Sequence, residues 1–271
     1  MVLEQGAVHV KISRVAPFVV AAAVFSFQAC SDTTSIIPAL VADSTITKDV
    51  AVSAGDAIAT AVSDMLANES ASSLSAVIGD IAPEIVYNRT RTCYDANGGV
   101  VTNCVPLASV RKIITHVVLN GSRSGTSGDP QIRTVSWSGA VHRTADDTLQ
   151  RNFTGSTESS RTHSALSTGH DTTTFSDGTI SRFAAETASD AVKALTWNLP
   201  HSQNPWPVSG KIVREVAVHV VATRENETVT RDVSRVVEVT FPADAQGNVV
   251  LTINGKTCNL NLVTHITSAC H

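Results

Sequence analysis

"KIVREVAVHVVATRENETVTRDVSRVVEVTF" occupies positions 211 to 241 and alternates apolar with polar residues almost without a break. Ile212, Val216, Val218, Val220 and Ala222 fall on one side of an extended chain. Val229, Val233, Val237, Val239 and Phe241 do the same in the second half. A period of two sends successive side chains to opposite faces of a strand, whereas a helix needs apolar residues three and four apart. "RENE" interrupts the pattern between the halves. The stretch therefore reads as two antiparallel strands joined by a tight turn, one face for a core and the other for solvent.

The pattern continues on both sides. In "NVVLTINGKTCNLNLV" the turn is Asn254-Gly255, the dipeptide that best tolerates the positive φ angles of a two-residue hairpin. Counting outward pairs Ile253 with Lys256, Leu251 with Cys258 and Val249 with Leu260, which turns Cys258 toward the apolar face. Upstream, Asp177-Gly178 in "TTTFSDGTISRF" pairs Phe175 with Ile180. Residues 121 to 185 are richer in Ser, Thr and Gly, with isolated apolar positions at Val135, Trp137, Val141, Leu149, Phe153 and Leu166. Strands there bury one thin face, and "GSRSGTSGDP" has the composition of an unstructured segment. The expected fold is mainly β: an antiparallel meander over 84–271, arranged as a sandwich or a partial barrel.

Before the meander the period changes to that of a helix. Val50, Ala54, Ile58, Val62 and Met65 recur at helical spacing, with Thr47 in position to cap, and a weaker repeat at Leu74, Val77, Ile78 and Ile81 runs on to Pro83. A helical segment over 47–82 packing on the sheet follows. Hydrophobic residues make up 42% of the chain but aromatics only 4%, so the core is built from Val, Ile, Leu and Ala. A net charge of -4 supplies no basic field for phosphates, which argues against nucleic acid as a partner.

At the N-terminus, Lys11 and Arg14 precede "VAPFVVAAAVFSF", Val15 to Phe27, which carries no charge. Thirteen apolar residues are too few to span a bilayer, which takes roughly 20 in a helix. A basic start, a short apolar run and a small residue before a polar stretch are the parts of a secretory signal, here 1–29. The following "FQAC" resembles the lipobox of bacterial lipoproteins on Ala29 and Cys30, although Phe27 stands where Leu is commonest and Gln28 where Ala or Ser is usual. The resemblance implies cleavage before Cys30, acylation of its thiol, and, with Ser31 next, sorting to the outer membrane of a Gram-negative-type cell. Two or three acyl chains, each worth about 0.8 kcal/mol per buried methylene, would anchor the protein without a spanning helix. Residues 30–46 would then be a polar tether.

With Cys30 assigned to lipid, four of five cysteines remain. "CYDANGGVVTNC" reads as a hairpin centred on Gly98-Gly99, which sets Cys93 opposite Cys104 within disulfide reach, and Cys258 with Cys270 closes a loop of similar size. No CxxC zinc knuckle occurs.

Chemistry-bearing motifs are sparse. "GSRSG" at Gly121 to Gly125 has Arg where a serine hydrolase needs its nucleophile, and "DANGG" lacks the carboxylates of a calcium loop. His142, His163 and His170 are the candidate metal ligands, if neighbouring strands bring them together. His116, His219 and His265 belong to apolar strands and face solvent or strand ends. Trp206, among Pro200, Pro205 and Pro207, is either a core plug or a ligand-binding aromatic. No cofactor is implied. The sequence points to a lipid-anchored envelope protein of binding or scaffolding type, with an envelope protein or glycan as partner. The alternatives are a carrier holding an apolar ligand or lipoprotein between helix and curved sheet, and an envelope hydrolase assembled from separate strands.

Overall fold

The quoted stretch forms a long hairpin of β7 (Ser209–Arg224) and β8 (Glu227–Thr240), with Val218 opposite Val233 and Arg224 opposite Glu227. The computed structural model describes residues 41–69, 86–104, 107–127, 135–176, 181–224, 227–268 and 270. The leader, Cys30 and the repeat from Leu74 to Ile81 lie outside the described residues. Ile212, Val216, Val218, Val220 and Ala222 are buried, as are Val237, Val239 and Phe241. Val229 and Val233, nearer the turn, are half-buried.

The same construction repeats along the chain. β1 (Val86–Tyr94), β2 (Val100–Val101), β3 (Lys112–Ser127), β4 (Val135–Thr154), β5 (Thr157–Ser176), β6 (Ser181–Asn198), β9 (Asn248–Ile253), β10 (Lys256–Asn261) and β11 (Thr267–Ser268) join the hairpin in one antiparallel sheet of 11 strands. Its order is β11-β10-β9-β8-β7-β6-β5-β4-β3-β1-β2. This is a meander, and among the described residues it is a single sheet rather than the two of a sandwich. The end strands β2 and β11 do not pair with each other, so it stays open.

α1 (Asp43–Asn68) lies against this sheet. Its 26 residues and apolar composition would suffice to cross a bilayer, but 67% of its apolar window is buried inside the protein, and it serves as a core helix. It starts at Asp43, not Thr47, so the tether expected over 30–46 loses its last residues to the helix. The reason is electrostatic: Asp43 complements the positive helix end and takes Arg235 Nη2 at 2.5 Å and Arg231 Nη2 at 3.4 Å. Thr47 is interior and buried, and Ala42 occupies the N-cap without a side-chain bond. Ile46, Val50, Ala54, Ile58, Val62 and Met65 enter the core.

One helix touches both ends of the sheet. Ala51 O accepts from Thr267 Oγ1 of β11 at 3.2 Å, and Asp64 lies 3.6 Å from Arg89 of β1. Those strands are nine steps apart in the order, about 43 Å on a flat sheet at ~4.8 Å per step, whereas Ala51 and Asp64 are only about 20 Å apart along the helix. The sheet must therefore curve around α1. Bulges at Asn152/Phe153, His163/Ala165 and Lys193/Thr196 help it bend. At the last of these Ala194 has φ 50°, and Gly210 (φ 106°) runs so close that a Cβ would lie 2.5 Å from Ala194 O.

Turns differ from simple counting in two places. Ser176 pairs with Ser181 and Phe175 with Arg182, so Phe175 does not stand opposite Ile180 as counted; 177–180 lie outside the described residues. At the β1–β2 hairpin Cys93 lies opposite Val101, not Cys104. Asp95 makes a wider turn there, its Oδ1 accepting from the Asn97 and Gly99 N–H groups. Cys104 reaches Cys93 because a 3-10 turn, Thr102–Cys104, brings it back, and the Cys93–Cys104 disulfide closes with a Cα separation of 5.3 Å. Cys258–Cys270 is the second disulfide. The Asn254-Gly255 hairpin has the counted register throughout. Gly121–Ser127, unstructured by composition, continues β3, because β4 supplies backbone partners from Gly121↔Val141 to Ser127↔Val135.

The alternation predicts unequal costs for adjacent residues. Leu251→Ala, at a fully buried position, should lower unfolding free energy by about 2–5 kcal/mol. Val250→Ala, 53% exposed, should change it by less than about 0.5 kcal/mol. Urea denaturation of both variants tests the register of β9.

Candidate functional site

The interface between α1 and the sheet carries a seam of buried charge. On the helix, Asp49, Ser53, Asp56 and Thr60 recur at helical spacing and are all buried. On β6 the inward positions are Arg182, Ala184, Glu186 and Ala188, so charged side chains alternate with small ones that leave them room. Arg182 grips Asp49 through Nε at 2.5 Å and Nη2 at 2.7 Å. Ser53 Oγ donates to Glu186 Oε1 at 2.7 Å. Arg214 of β7, 1% exposed, donates to Asp190 at 2.9 Å and to Asp171 at 3.1 Å, with Glu186 at 3.9 Å, and Arg143 of β4 closes on the same Asp171. Burial pushes the Glu186 carboxyl up despite the opposing charge of Arg214. Burial also disfavours charge on Arg214, but Asp190, Glu186 and Asp171 more than offset it and raise the guanidinium. Such ions hold each other: deleting one partner of a buried pair leaves the other uncompensated, at about 3–5 kcal/mol.

The seam ends at a latch. Glu69, just past the helix, receives Arg161 Nη1 at 2.6 Å, His201 Nε2 at 2.5 Å and His163 Nε2 at 3.1 Å. His163 has no exposed surface, and its Nδ1 faces Asp147 Oδ2 at 2.9 Å while its ring meets Trp197 edge-on with centroids 5.4 Å apart. Burial alone would lower the imidazolium, but the hydrogen bonds and charges of Asp147 and Glu69 raise it to about 9. For Glu69, burial would raise the carboxyl, and His163 and Arg161 bring it below its ordinary value. Arg161 also bonds Glu158 at 2.7 Å, and Glu158 in turn binds Arg151 at 2.8 Å. Burial opposes these bonds, yet together they carry the Glu158 carboxyl down to about 2. A histidine and two carboxylates thus converge, as a hydrolase would require, but behind the helix, where His163 touches only protein. Their chemistry is that of a clamp.

Beside the seam lies a small apolar cleft of about 80 Å³, walled by Ile58, Ala61 and Met65 of α1 and by Val117, Ala145 and Val192 of the sheet, with Asp64, Arg143 and Asp190 at its rim. On the opposite, outer face, a shallow trough is floored by Ala185 and Ala217 and flanked by His170, Thr187, His219 and Asp232.

Of the three candidate metal ligands, His163 stands apart from the other two. His163 and His170 are seven residues apart on β5, so they occupy opposite faces. His142 and His170 are direct cross-strand partners on the outer face. Among the described residues no group of three or more His, Cys, Asp or Glu side chains is arranged to hold a metal. His116 and His219 are exposed beside Asp146 at 2.8 Å and Asp232 at 2.7 Å, while His265 reaches Asp56 of α1 at 2.9 Å. Trp206 is half-buried against the core and covers Gly247, where a Cβ would stand 2.7 Å from its ring. That is packing of the plug kind. Arg182, Glu186 and Arg214 were missed by an apolar reading of the inward positions. Strand parity marks them, since each sits in phase with buried neighbours, and Asp49, Ser53, Asp56 and Thr60 form the matching helical stripe.

Comparison of the chain with protein-family models, with curated proteins and with solved structures finds no match.

The latch has a pH signature. Below about pH 6.5 the folded and unfolded states both hold the His163 proton and the clamp contributes in full. Between about 6.5 and 9 the unfolded chain releases that proton while the folded one keeps it, so stability should fall by roughly 3 kcal/mol across the window. Urea denaturation across that range should show this slope in the native sequence and lose it in His163→Gln.

Proposed function

We propose that this chain is an exported lipoprotein of the cell envelope, held to a membrane by acyl chains on Cys30 and acting by binding or scaffolding. One observation carries the reading. Cys93 pairs with Cys104 and Cys258 with Cys270, so Cys30, separated by Gln28 and Ala29 from the apolar run that ends at Phe27, is the one cysteine left over. Disulfides persist in oxidising compartments, which agrees with export through the leader 1–29. Cys30 precedes Asp43 by 13 positions, a reach of at most about 45 Å for an extended tether. The outer membrane is the expected address, from Ser31 following the cysteine. Binding is favoured over hydrolysis because the converging acid–base groups of the described residues are sealed inside, His163 with 0% exposure. The partner class is an envelope protein or glycan.

A second reading has its own support. The cleft between α1 and β3–β7 is apolar, as a carrier of an apolar ligand requires, but at about 80 Å³ it accepts only a small group or one chain end. Ala61→Phe would fill it and should abolish uptake of an apolar fluorescent probe without weakening membrane attachment.

Intact mass spectrometry of membrane-extracted protein under non-reducing conditions tests the main reading. The expected mass is that of a chain starting at Cys30 with two or three acyl groups and no free thiol. Cys30→Ser should release the protein from the membrane fraction with both disulfides intact. A chain that retains Met1, or one that stays soluble with Cys30 unmodified, would overturn the proposal.

A further inference from the structure

On the outer face the register aligns Asn120, His142, His170 and Thr187 across β3, β4, β5 and β6. His142 and His170 are direct partners and both are exposed. Side chains so placed stand about 4.5–5.5 Å apart at Cβ. Each ring already uses Nδ1: His142 Nδ1 bonds Asn120 Oδ1, and His170 Nδ1 lies 3.3 Å from Thr187 Oγ1. An amide oxygen only accepts, so this bond is made by a His142 Nδ1–H, and in the neutral ring that tautomer leaves the lone pair on Nε2; the Thr187 hydroxyl can accept from His170 in the same way.

Asn120 and Thr187 flank the pair on its two outer sides, and the two nitrogens of an imidazole face nearly opposite directions. Each Nε2 is thereby turned back toward the strand of the other histidine. Neighbours on the same face are Ala140, Thr144, Thr168 and Thr172, all small and uncharged. Two imidazole nitrogens, each on a ring oriented by a hydrogen bond on its far side, are a donor set for late transition metals, with copper(II) bound most tightly of the divalent series.

We propose that His142 and His170 form a two-histidine site for a divalent late transition-metal ion, copper(II) foremost, with its remaining coordination positions open to water or to a partner's ligand. The other exposed histidines of this face differ, since His116 and His219 each stand beside a carboxylate rather than a second imidazole.

The test adds copper(II) to the full chain carrying Cys30→Ser, so that no free thiol competes, and reads calorimetry together with electron paramagnetic resonance. The expected result is one bound equivalent with hyperfine coupling to two nitrogens. His142→Ala and His170→Ala should each weaken binding by more than about tenfold, and His116→Ala and His219→Ala should not. All four positions are exposed, and circular dichroism checks that each variant is folded. Binding that survives both single changes, that depends on only one of the two histidines or on His116 or His219, or that is absent at low micromolar copper(II) would overturn the site.

Discussion

An open sheet with one greasy face has to be covered, and in this protein the cover is a single helix. Everything else in the described fold answers to that contact. α1 is rich in small side chains, Ala above all, so that the strands can approach it closely. At Gly55 an added Cβ would meet Thr267 Oγ1 at 2.2 Å, which shows how little space remains. Ile46, Val50, Ile58, Val62 and Met65 supply the larger apolar side chains of the contact. Charged pairs across the interface fix the helix in register, from Asp43 with Arg235 at one end to Glu69 with His163 at the other.

The two disulfides complete this arrangement at its weakest points. Cys93–Cys104 ties the β1–β2 edge, and Cys258–Cys270 ties the segment after β11 back to β10. Open sheets expose unpaired backbone at their edges, where fraying and pairing with other chains begin. Closing loops with sequence separations of 11 and 12 contributes about 3 kcal/mol each in the chain-entropy model. The staples stand where the meander has no further neighbour to offer.

Period-two alternation was enough to read the meander, because each of these strands buries one face only. The Asn254-Gly255 turn set its register outright, since a two-residue loop admits a single pairing. Two registers escaped counting: Asp95 recruits two backbone N–H groups and shifts the β1–β2 pairing, and β5 meets β6 with Phe175 opposite Arg182 rather than Ile180. The charged seam was hidden for a different reason. Inward positions were expected to be apolar, yet Arg214 and Glu186 are stable there only because α1 and neighbouring strands supply their partners, a long-range fact that no local pattern carries. Parity alone was sufficient to separate His163 from His170. It was not sufficient to place His163 against Glu69, which lies 94 residues away.

This architecture explains why the residues with the strongest chemistry face inward while the outer face stays polar and open. A body of this kind has a rigid interior and a broad solvated surface on which to meet partners. The claim beneath it is that helix and sheet are one cooperative unit. Native-state hydrogen exchange followed residue by residue addresses this directly. The account predicts that amides from Ile46 to Met65 exchange only through global unfolding, with the same free energy as the central amides of β6 and β7. Helix amides that exchange orders of magnitude faster while the sheet stays protected would contradict it.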